Sequence, residues 1–154
     1  YQGIVHVPFI WAEPQTHGAR RTDGLGSTMD IPATVLDRAG LTPYAGMQGK
    51  SLLPVISDDA AVQDVLLIQY EHQMAAPAGQ GTGRVHTVID ERWRLSVFDG
   101  ADFGELYDLA NDPGEFDNLW DSPAHAEVRA RLIEQLARLE IAYVDTVPLP
   151  TFQA

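Results

Sequence analysis

Cysteine is missing from this sequence, and cationic residues are scarce. The 154 residues include no cysteine, 10 lysines and arginines, and 22 aspartates and glutamates. Disulfides, cysteine-ligated zinc and thiol nucleophiles are therefore excluded. The net charge of −12 argues against nucleic acids and anionic membrane surfaces as partners. The sequence also has no apolar run long enough to cross a bilayer.

The first part of the chain favours a strand, a long loop and a helix. "GIVHVPFIW" is a nearly continuous apolar run, the pattern of a strand covered on both faces in an α/β sheet. It opens the chain without an initiator methionine, so we expect a segment cut from a longer polypeptide. After a polar, glycine-rich loop over residues 12–27, "STMDIPATVLDRAG" predicts a helix capped by Asp30 and ended by Gly40. Its predicted apolar stripe comprises Ile31, Val35 and Leu36.

The second part favours an antiparallel meander followed by a helix. "DVLLIQYE", "RVHTVID", "RWRLSVF" and "GELYDL" have the composition of strands, and the short connection between the middle two predicts a hairpin. We expect three to four strands. Apolar residues at helical spacing predict a helix from about Pro123 to Tyr143, which packs one apolar stripe on the sheet.

Two basic clusters interrupt the acidic background. Arg20 and Arg21 form the first, and the second lies in the meander and comprises Arg84, His86, Arg92 and Arg94. Each cluster is either a surface scatter of charges or a local anion site. Glu71 and His72 end a predicted strand beside a glycine-rich loop, where binding residues are often placed, so they are candidates for substrate contact.

Two further motifs fail at one position each. "AGMQGKS" has Tyr44 where a phosphate-binding loop requires glycine. "THG" has Thr16 where a metal-binding Asp-His-Gly has its aspartate. Neither motif supports a site.

The stretch "GELYDLANDPGEFDNLW" carries five carboxylates: Glu105, Asp108, Asp112, Glu115 and Asp117. A calcium loop of the EF-hand kind would need an oxygen ligand at Ala110, so that interpretation fails. Residues 111–114 instead favour a turn with Pro113 at its second position. We interpret the stretch as architecture, with the turn pinned to the core by Leu106, Tyr107, Leu109, Phe116, Leu119 and Trp120.

The same stretch resembles the closing signature of bacterial sulfatases, E-L-Y-D-L, then D-P-x-E, then N-L. Three more stretches are similar in the family's order. "VHVPFIW" matches with His6 where arginine is frequent, "STMDIPATVLDRAGL" resembles a D-I-x-P-T helix with the proline one place early, and "GKSLLP" resembles a G-x-S-L-x-P turn. The chain thus resembles roughly the last third of a sulfatase of the alkaline phosphatase-like superfamily.

The resemblance implies an α/β fold, with residues 1–60 as a remnant of the sulfatase core and residues 61–154 as a C-terminal sheet, helix and tail. It also implies a sulfuric ester hydrolase that uses formylglycine, made from Cys or Ser in C/S-x-P-x-R, and a divalent cation, usually calcium. Neither that motif nor the family's metal-binding pairs occur here. We therefore assign no catalytic residue, metal ligand or cofactor to this segment, and expect no turnover from it alone.

The implied partners are the N-terminal catalytic part of the same enzyme and a sulfate ester. Glu71, His72 and Arg84 are nominated as substrate-proximal groups, with Arg84 as an anion contact. Two alternatives stay open: the same region of a phosphate or phosphonate ester hydrolase, and a stand-alone interaction module. An exposed first strand predicts oligomers of the isolated chain. The ester's identity and the compartment, bacterial cytoplasm or periplasm, are left open.

Overall fold

A four-stranded antiparallel sheet and one long helix form the largest part of the structure. A computed structural model of the chain describes residues 1–13, 18–71 and 83–144. The strands are β1 (Val65–Tyr70), β2 (Val85–Asp90), β3 (Trp93–Phe98) and β4 (Gly104–Asp108), paired in the order β1-β2-β3-β4. The helices are α1 (Gln2–Val5), α2 (Asp30–Arg38), α3 (Leu53–Asp58) and α4 (Ala126–Ala142). The α/β class and the predicted meander with its C-terminal helix are confirmed.

The described residues group into two units. The sheet–helix unit combines Tyr1–His6 with Val65–Ala142, and the loop–helix unit contains the described residues of Val7–Asp64 together with residues 143–144. The proposed division into residues 1–60 and 61–154 stays a prediction. None of the described helices is both long enough and apolar enough to span a membrane.

The hairpin between β2 and β3 forms as predicted because a short side chain organises its turn. The carboxylate of Asp90 accepts hydrogen bonds from the backbone N–H groups of Arg92 at 2.9 Å and Trp93 at 2.6 Å. This Asx-type contact reverses the chain within two residues and fixes the register. Val88 consequently pairs with Leu95.

The core of the sheet–helix unit lies between one face of the sheet and α4. Leu95 pairs with Leu106 across β3 and β4, and both side chains are fully buried. Leu132 and Leu136, one turn apart on α4, pack against this face. The apolar stripe predicted for the last helix is therefore confirmed, and each buried leucine contributes about 1.5–3 kcal/mol relative to exposure. Pro123 opens a short 3₁₀ turn, Pro123–His125, ahead of α4.

The strand predicted for "GIVHVPFIW" is wrong. Gln2–Val5 is a single helical turn, α1, and the described residues 7–13 that follow have no regular secondary structure. A strand needs a neighbour to pair its backbone groups, and the four described strands pair with one another. In α1 the N–H of His6 instead bonds to the carbonyl of Gln2 at 2.9 Å. The predicted oligomers relied on an exposed first strand, which the described residues do not contain.

Helix α2 forms where it was predicted, but its buried face differs. It ends as expected before Gly40, whose φ of +70° is in the left-handed region that glycine tolerates. Its N-cap is Met29, one residue before the predicted cap. The predicted stripe is also wrong, because Ile31 and Val35 are exposed and Leu36 is half-buried. The buried residues of α2 are Asp30, Ala33 and Thr34.

Asp30 is buried because it organises the backbone of the loop–helix unit. Its carboxylate accepts hydrogen bonds from the N–H of Ser27 at 2.7 Å, the N–H of Lys50 at 2.7 Å and Nε2 of Gln63 at 2.8 Å. The close approach also requires Gly49, where a Cβ would lie 1.9 Å from the carbonyl oxygen of Met29. Hydrogen bonds to residues distant in sequence, rather than the apolar pattern of the helix, therefore determine which face of α2 is buried.

Thr34 extends this polar core by one helical turn. Its hydroxyl donates to the carbonyl of Asp30 at 2.6 Å and accepts from the N–H of Leu52 at 2.9 Å. Leu52 and Val55, beside and within α3, are buried. A few directed hydrogen bonds and a small apolar contact therefore hold the loop–helix unit together.

Candidate functional site

Glu71 and Arg84, two of the nominated substrate-proximal residues, lie together. Glu71 follows β1 and Arg84 precedes β2, and Nε of Arg84 is 3.7 Å from Oε2 of Glu71. Both side chains are more than half exposed, at 56% and 55%. An exposed pair at this distance is weak, so both groups are accessible to a ligand. His72 lies outside the described residues, and a substrate role for all three stays a prediction.

His86 lies between this pair and α4, without a hydrogen bond from its Nε2 to any described residue. Its Nε2 lies 3.6 Å from Oε1 of Glu71, and its Nδ1 lies 2.7 Å from Oε1 of Glu140. Gln69, the cross-strand partner of His86 on β1, donates from Nε2 to Oε2 of Glu140 at 2.8 Å. We call these residues the Glu71 cluster: Gln69, Glu71, Arg84, His86 and Glu140.

Glu140 was not identified from the sequence. It follows the stripe residue Leu139 directly and lies one turn after the buried Leu136. The sequence did contain one indication of its role. Glu140 borders the apolar stripe of α4, and a residue at that position lies next to the sheet on which the stripe packs.

The four basic residues of the meander do not form one anion site. Arg92 belongs to a separate pair, with Nε 3.0 Å from Oδ1 and Nη2 2.6 Å from Oδ2 of Asp108. The hydrogen bonds from the Arg92 guanidinium lower the pKa of Asp108 to about 2. Burial opposes this effect but is outweighed. The basic residues of the meander are therefore better described as separately paired charges than as one anion site.

Arg94 is buried on the sheet face opposite α4, within what we call the Arg94 network. Its Nη1 lies 2.9 Å from Oε1 of Glu115 and 3.5 Å from Oε2 of Glu105. The guanidinium carbon is 5.1 Å from the ring centre of Tyr1 and 5.7 Å from that of Tyr107. Two carboxylates and two aromatic faces thus compensate part of the loss of hydration, while the buried Nε of Arg94 has no hydrogen-bond partner among the described residues.

The Arg94 network also holds the start of the chain. The backbone N–H of Gln2 donates to Oε2 of Glu115 at 2.5 Å, and the hydroxyl of Tyr1 donates to Oε1 of Glu105 at 3.0 Å. Burial, together with the nearby charge of Glu105, raises the pKa of Tyr107. The network therefore fixes α1 to the sheet and is not available to bind an external anion.

The acidic stretch over residues 104–120 has a structural role in the sheet–helix unit. Oδ2 of Asp112 accepts from the N–H groups of Phe116 at 2.8 Å and Asp117 at 2.9 Å, which closes the turn containing Pro113. Glu115 adopts a φ of +57° within this turn, an uncommon value for a side-chain-bearing residue, and directs its carboxylate to Arg94. Phe116 is 88% exposed, so its predicted packing on the core is wrong.

Asn118 joins the acidic stretch to β4. Its Oδ1 accepts from the N–H of Leu106 at 3.0 Å, and its Nδ2 donates to the carbonyl of Gly104 at 3.0 Å. Gly104 is required here because a Cβ would lie 2.4 Å from the ring of Trp120. The signature-like residues at 104–120 are thus explained by backbone contacts.

The remaining basic cluster and the glycine-rich motif have structural partners. Arg20 donates to the carbonyl of Ser57 at 2.7 Å, and Arg21 lies 3.8 Å from Asp23. Lys50 donates its backbone N–H to Asp30. Neither region gathers donors as a phosphate or sulfate site requires.

Comparison with known proteins settles the family. Residues 1–142 match the family model described as N-sulphoglucosamine sulphohydrolase, C-terminal. The chain belongs to this sulfatase family. The match includes the whole sheet–helix unit, the Val7–Asp64 part of the loop–helix unit, and every residue of the Glu71 cluster and the Arg94 network.

Two curated sulfatases of Bacteroides thetaiotaomicron are similar to this family member. The N-acetylglucosamine-6-O-sulfatase is 26% identical over 151 residues, covering 96% of this chain and 27% of the relative. The Delta 4,5-hexuronate-2-O-sulfatase is 29% identical over 150 residues, covering 93% of this chain and 31% of the relative. The chain thus spans between a quarter and a third of the length of these relatives.

A solved structure of a phosphonate monoester hydrolase is similar as well. The enzyme of Agrobacterium radiobacter matches with a TM-score of 0.72 and 27% sequence identity, covering 84% of this chain and 27% of that enzyme. The fold of this sulfatase-family region is therefore shared with a hydrolase named for a different ester.

Calcium and formylglycine, which the resemblance to sulfatases implies for a complete enzyme, do not fit this segment. In the described parts of the chain, no three histidine, aspartate or glutamate side chains are grouped so that they could hold a metal ion. Asp108, Asp112 and Glu115 are instead engaged by Arg92, by turn N–H groups and by Arg94. No chemical step of this segment is therefore assigned to either group.

Proposed function

We propose that this chain is the C-terminal region of a sulfuric ester hydrolase, where it completes the core and forms part of the active-site rim. The family match over residues 1–142 is the observation that carries the proposal. The two curated relatives, both named as carbohydrate sulfatases, support a sulfated sugar as the substrate class. The partner is the N-terminal catalytic part of the same enzyme.

The test of this function uses the complete polypeptide that contains the chain. Sulfate release is measured from N-acetylglucosamine 6-O-sulfate and from a Δ4,5-unsaturated hexuronate 2-O-sulfate, with the corresponding unsulfated sugars as blanks. We expect turnover of at least one sulfated sugar. A complete polypeptide that is folded but releases sulfate from neither contradicts the proposal.

Phosphonate monoester hydrolysis is the second candidate, supported by the TM-score of 0.72 to the Agrobacterium radiobacter enzyme. The same preparation is assayed with an aryl sulfate and an aryl phosphonate monoester of the same phenol. The ratio of the two kcat/KM values separates the candidates, because both esters have the same leaving group. A preference for the phosphonate favours the second candidate.

The segment alone is proposed to be inactive. Sulfuryl transfer needs a nucleophile and cationic stabilisation of the developing oxyanion. The chain has no cysteine and no serine in a C/S-x-P-x-R motif. We expect the purified 154-residue chain to release no phenol from an aryl sulfate above the buffer rate. Hydrolysis that copurifies with the chain through three different separations contradicts this.

Glu71, His72 and Arg84 are proposed as substrate-proximal groups of the complete enzyme. The half-exposed guanidinium of Arg84 supports this role, because arginine presents several N–H donors to the oxygens of a sulfate. Alanine at Arg84 should raise KM by about tenfold, the loss of one hydrogen bond to a charged group. Alanine variants at all three positions that keep the wild-type kcat/KM would remove the assignment.

A further inference from the structure

Helix α2 has a buried polar side and an exposed apolar side. Asp30 and Thr34, one turn apart, are buried. Ile31 and Val35, also one turn apart, are 37% and 51% exposed. Residues four positions apart lie on the same side of a helix, so the two β-branched side chains share one side of α2 and leave it uncovered. An amphipathic helix of a globular domain normally buries its apolar side.

An ion pair closes the C-terminal end of this exposed side. Arg38 lies three residues after Val35, on the same side of α2, and its Nε donates to Oε1 of Glu13 at 2.7 Å. The same carboxylate oxygen accepts from Nε1 of Trp11 at 3.0 Å. The segment before the helix is thereby fixed at the border of the apolar side. We call these residues the α2 apolar surface: Trp11, Glu13, Ile31, Val35 and Arg38.

The loop–helix unit does not itself cover the α2 apolar surface. Among the described residues of this unit, the buried apolar side chains are Ala33, Leu52 and Val55. Leu52 is held on the polar side of α2, where its N–H donates to the hydroxyl of Thr34. Apolar side chains that stay exposed together on one side of a helix mark an interaction surface.

Three observations indicate what covers this surface. The chain covers 27% and 31% of the two curated relatives, so most of each relative lies outside the matched region. A second copy of this chain is disfavoured, because two chains with a net charge of −12 repel each other. Arg38 is already neutralised by Glu13, so the surface can be covered by apolar groups without leaving an unpaired charge.

We propose that the α2 apolar surface binds the N-terminal catalytic part of the same polypeptide, through an apolar patch of that part placed over Ile31 and Val35. The pair of Glu13 and Arg38 becomes buried at the border of this contact. The identity of the partner rests on the proposed function, whereas the burial of Val35 does not depend on which ester the complete polypeptide hydrolyses.

The first experiment measures the accessibility of position 35 in the complete polypeptide. Val35→Cys is a small change, and the rate at which a maleimide labels its thiol is read from the α2 peptide by mass spectrometry. We expect labelling on the order of 100-fold slower in the complete polypeptide than in the 154-residue chain, because it then requires local opening of the contact. Ile141→Cys, at a side chain on α4 that is 75% exposed, is the control and should react at the same rate in both proteins. Equal rates for Val35→Cys in the two proteins overturn the proposal.

The concentration dependence of labelling separates the same polypeptide from a second copy. Protection of Val35→Cys in the complete polypeptide that does not change on dilution supports the proposal. Protection in the 154-residue chain that rises with its concentration indicates contact between two copies and overturns the proposal.

The second experiment tests whether the ion pair at the border becomes buried. Glu13→Gln keeps an oxygen for Trp11 and removes the charge that faces Arg38. Glu134→Gln is the matched control, because Glu134 lies 2.6 Å from Arg138 and the two side chains are 65% and 75% exposed. Amide hydrogen exchange in α2 and α4 is measured for both variants of the complete polypeptide.

The two variants should differ because a lone charge left in a buried contact is far more disruptive than one left in solvent. Exchange in α2 should accelerate at least about tenfold in Glu13→Gln, whereas exchange in α4 should change less than about twofold in Glu134→Gln. Accelerations of the same small size in both variants would contradict the burial of the α2 apolar surface.

The docking surface and the proposed function can fail separately, because neither labelling nor exchange requires catalysis. If the complete polypeptide releases sulfate but Val35→Cys is labelled as fast as in the 154-residue chain, the function stands and the docking surface fails. If the complete polypeptide hydrolyses neither ester but protects Val35→Cys at every concentration, the proposed function fails and the docking surface stands.

Discussion

The two units of this chain are stabilised in different ways. The sheet–helix unit has an apolar core in which Leu95, Leu106 and Leu132 are fully buried. The loop–helix unit is organised by Asp30 and Thr34, whose side chains bond to the backbone of distant residues. Non-directional burial depends on an amphipathic pattern, whereas directed hydrogen bonds depend on single positions. We therefore expect the sheet–helix unit to be most sensitive to changes in the size of a buried apolar side chain. The loop–helix unit should be most sensitive to the loss of a single hydrogen-bonding group.

The largest expected effect is a cavity in the sheet–helix unit. Leu95→Ala removes a fully buried side chain between the sheet and α4 and should lower the free energy of unfolding by about 2–5 kcal/mol. Urea unfolding followed by tryptophan fluorescence measures it, since Trp93 and Trp120 lie in this unit. Ile141→Ala, at a side chain that is 75% exposed, is the control and should change little. Equal effects of the two variants would contradict the apolar-core description.

The next effect is the loss of charge at the centre of the loop–helix unit. Asp30→Asn keeps the size of the side chain but places an amide N–H₂ against backbone donors, which should cost about 2–3 kcal/mol. Hydrogen exchange at the Lys50 amide should accelerate accordingly. Asp37→Asn changes an exposed carboxylate on the same helix and serves as the control. Unchanged exchange at Lys50 in Asp30→Asn would show that the polar core is not directed by this carboxylate.

A smaller effect isolates one hydroxyl of that polar core. Thr34→Val keeps the shape but leaves the N–H of Leu52 without its acceptor, at a cost of about 1–2 kcal/mol. Thr34→Ser keeps the hydroxyl and should preserve slow exchange at the Leu52 amide while losing only a methyl group. If valine is tolerated better than serine, apolar packing dominates this unit as well and the comparison between the units fails.

The smallest effect concerns the acid sensitivity of the sheet–helix unit. The pKa of Asp108 is lowered to about 2 by Arg92, so the ionised carboxylate stabilises the fold. This stabilisation is complete above the pKa of the unfolded carboxyl, near 4, and is lost as the pH falls through about 2. Asp108→Asn should lower Tm by about 2–4 °C at pH 7, and the difference from the parent protein should shrink as the pH falls from about 4 towards 2.

A difference in Tm that stays constant from pH 7 to pH 2 would contradict the role of Asp108 ionisation. Asp121→Asn, at an exposed carboxyl, controls for the change in net charge.

Sequence patterns predicted the elements that are stabilised locally or by a simple apolar face. The hairpin at residues 90–92 and the stripe of α4 were predicted because turn chemistry and helical spacing are encoded within a few residues. The buried face of α2 was not, because Asp30 bonds to Lys50 and Gln63, which are distant in sequence. The strand at residues 3–11 failed since an apolar run does not specify whether a partner strand is available.

The candidate site was predicted only at its exposed end. Strand-end and loop positions led to Glu71 and Arg84, and the resemblance to sulfatases supplied their proposed context. Glu140 could not be paired with His86 from sequence, because their contact depends on how α4 lies across β2. The resemblance to sulfatases included Asn118, whose carboxamide contacts the backbone of Leu106 and Gly104.

The contacts of Asn118 have a consequence for solubility. Its carboxamide takes up the outward N–H of Leu106 and the outward carbonyl of Gly104, and the carbonyl of Leu106 receives the N–H of Leu119. These are the groups through which a second polypeptide could add to this border of the sheet and begin fibril growth. The Asn118 amide and the N–H of Leu119 together thus make the β4 border unreceptive to cross-β propagation.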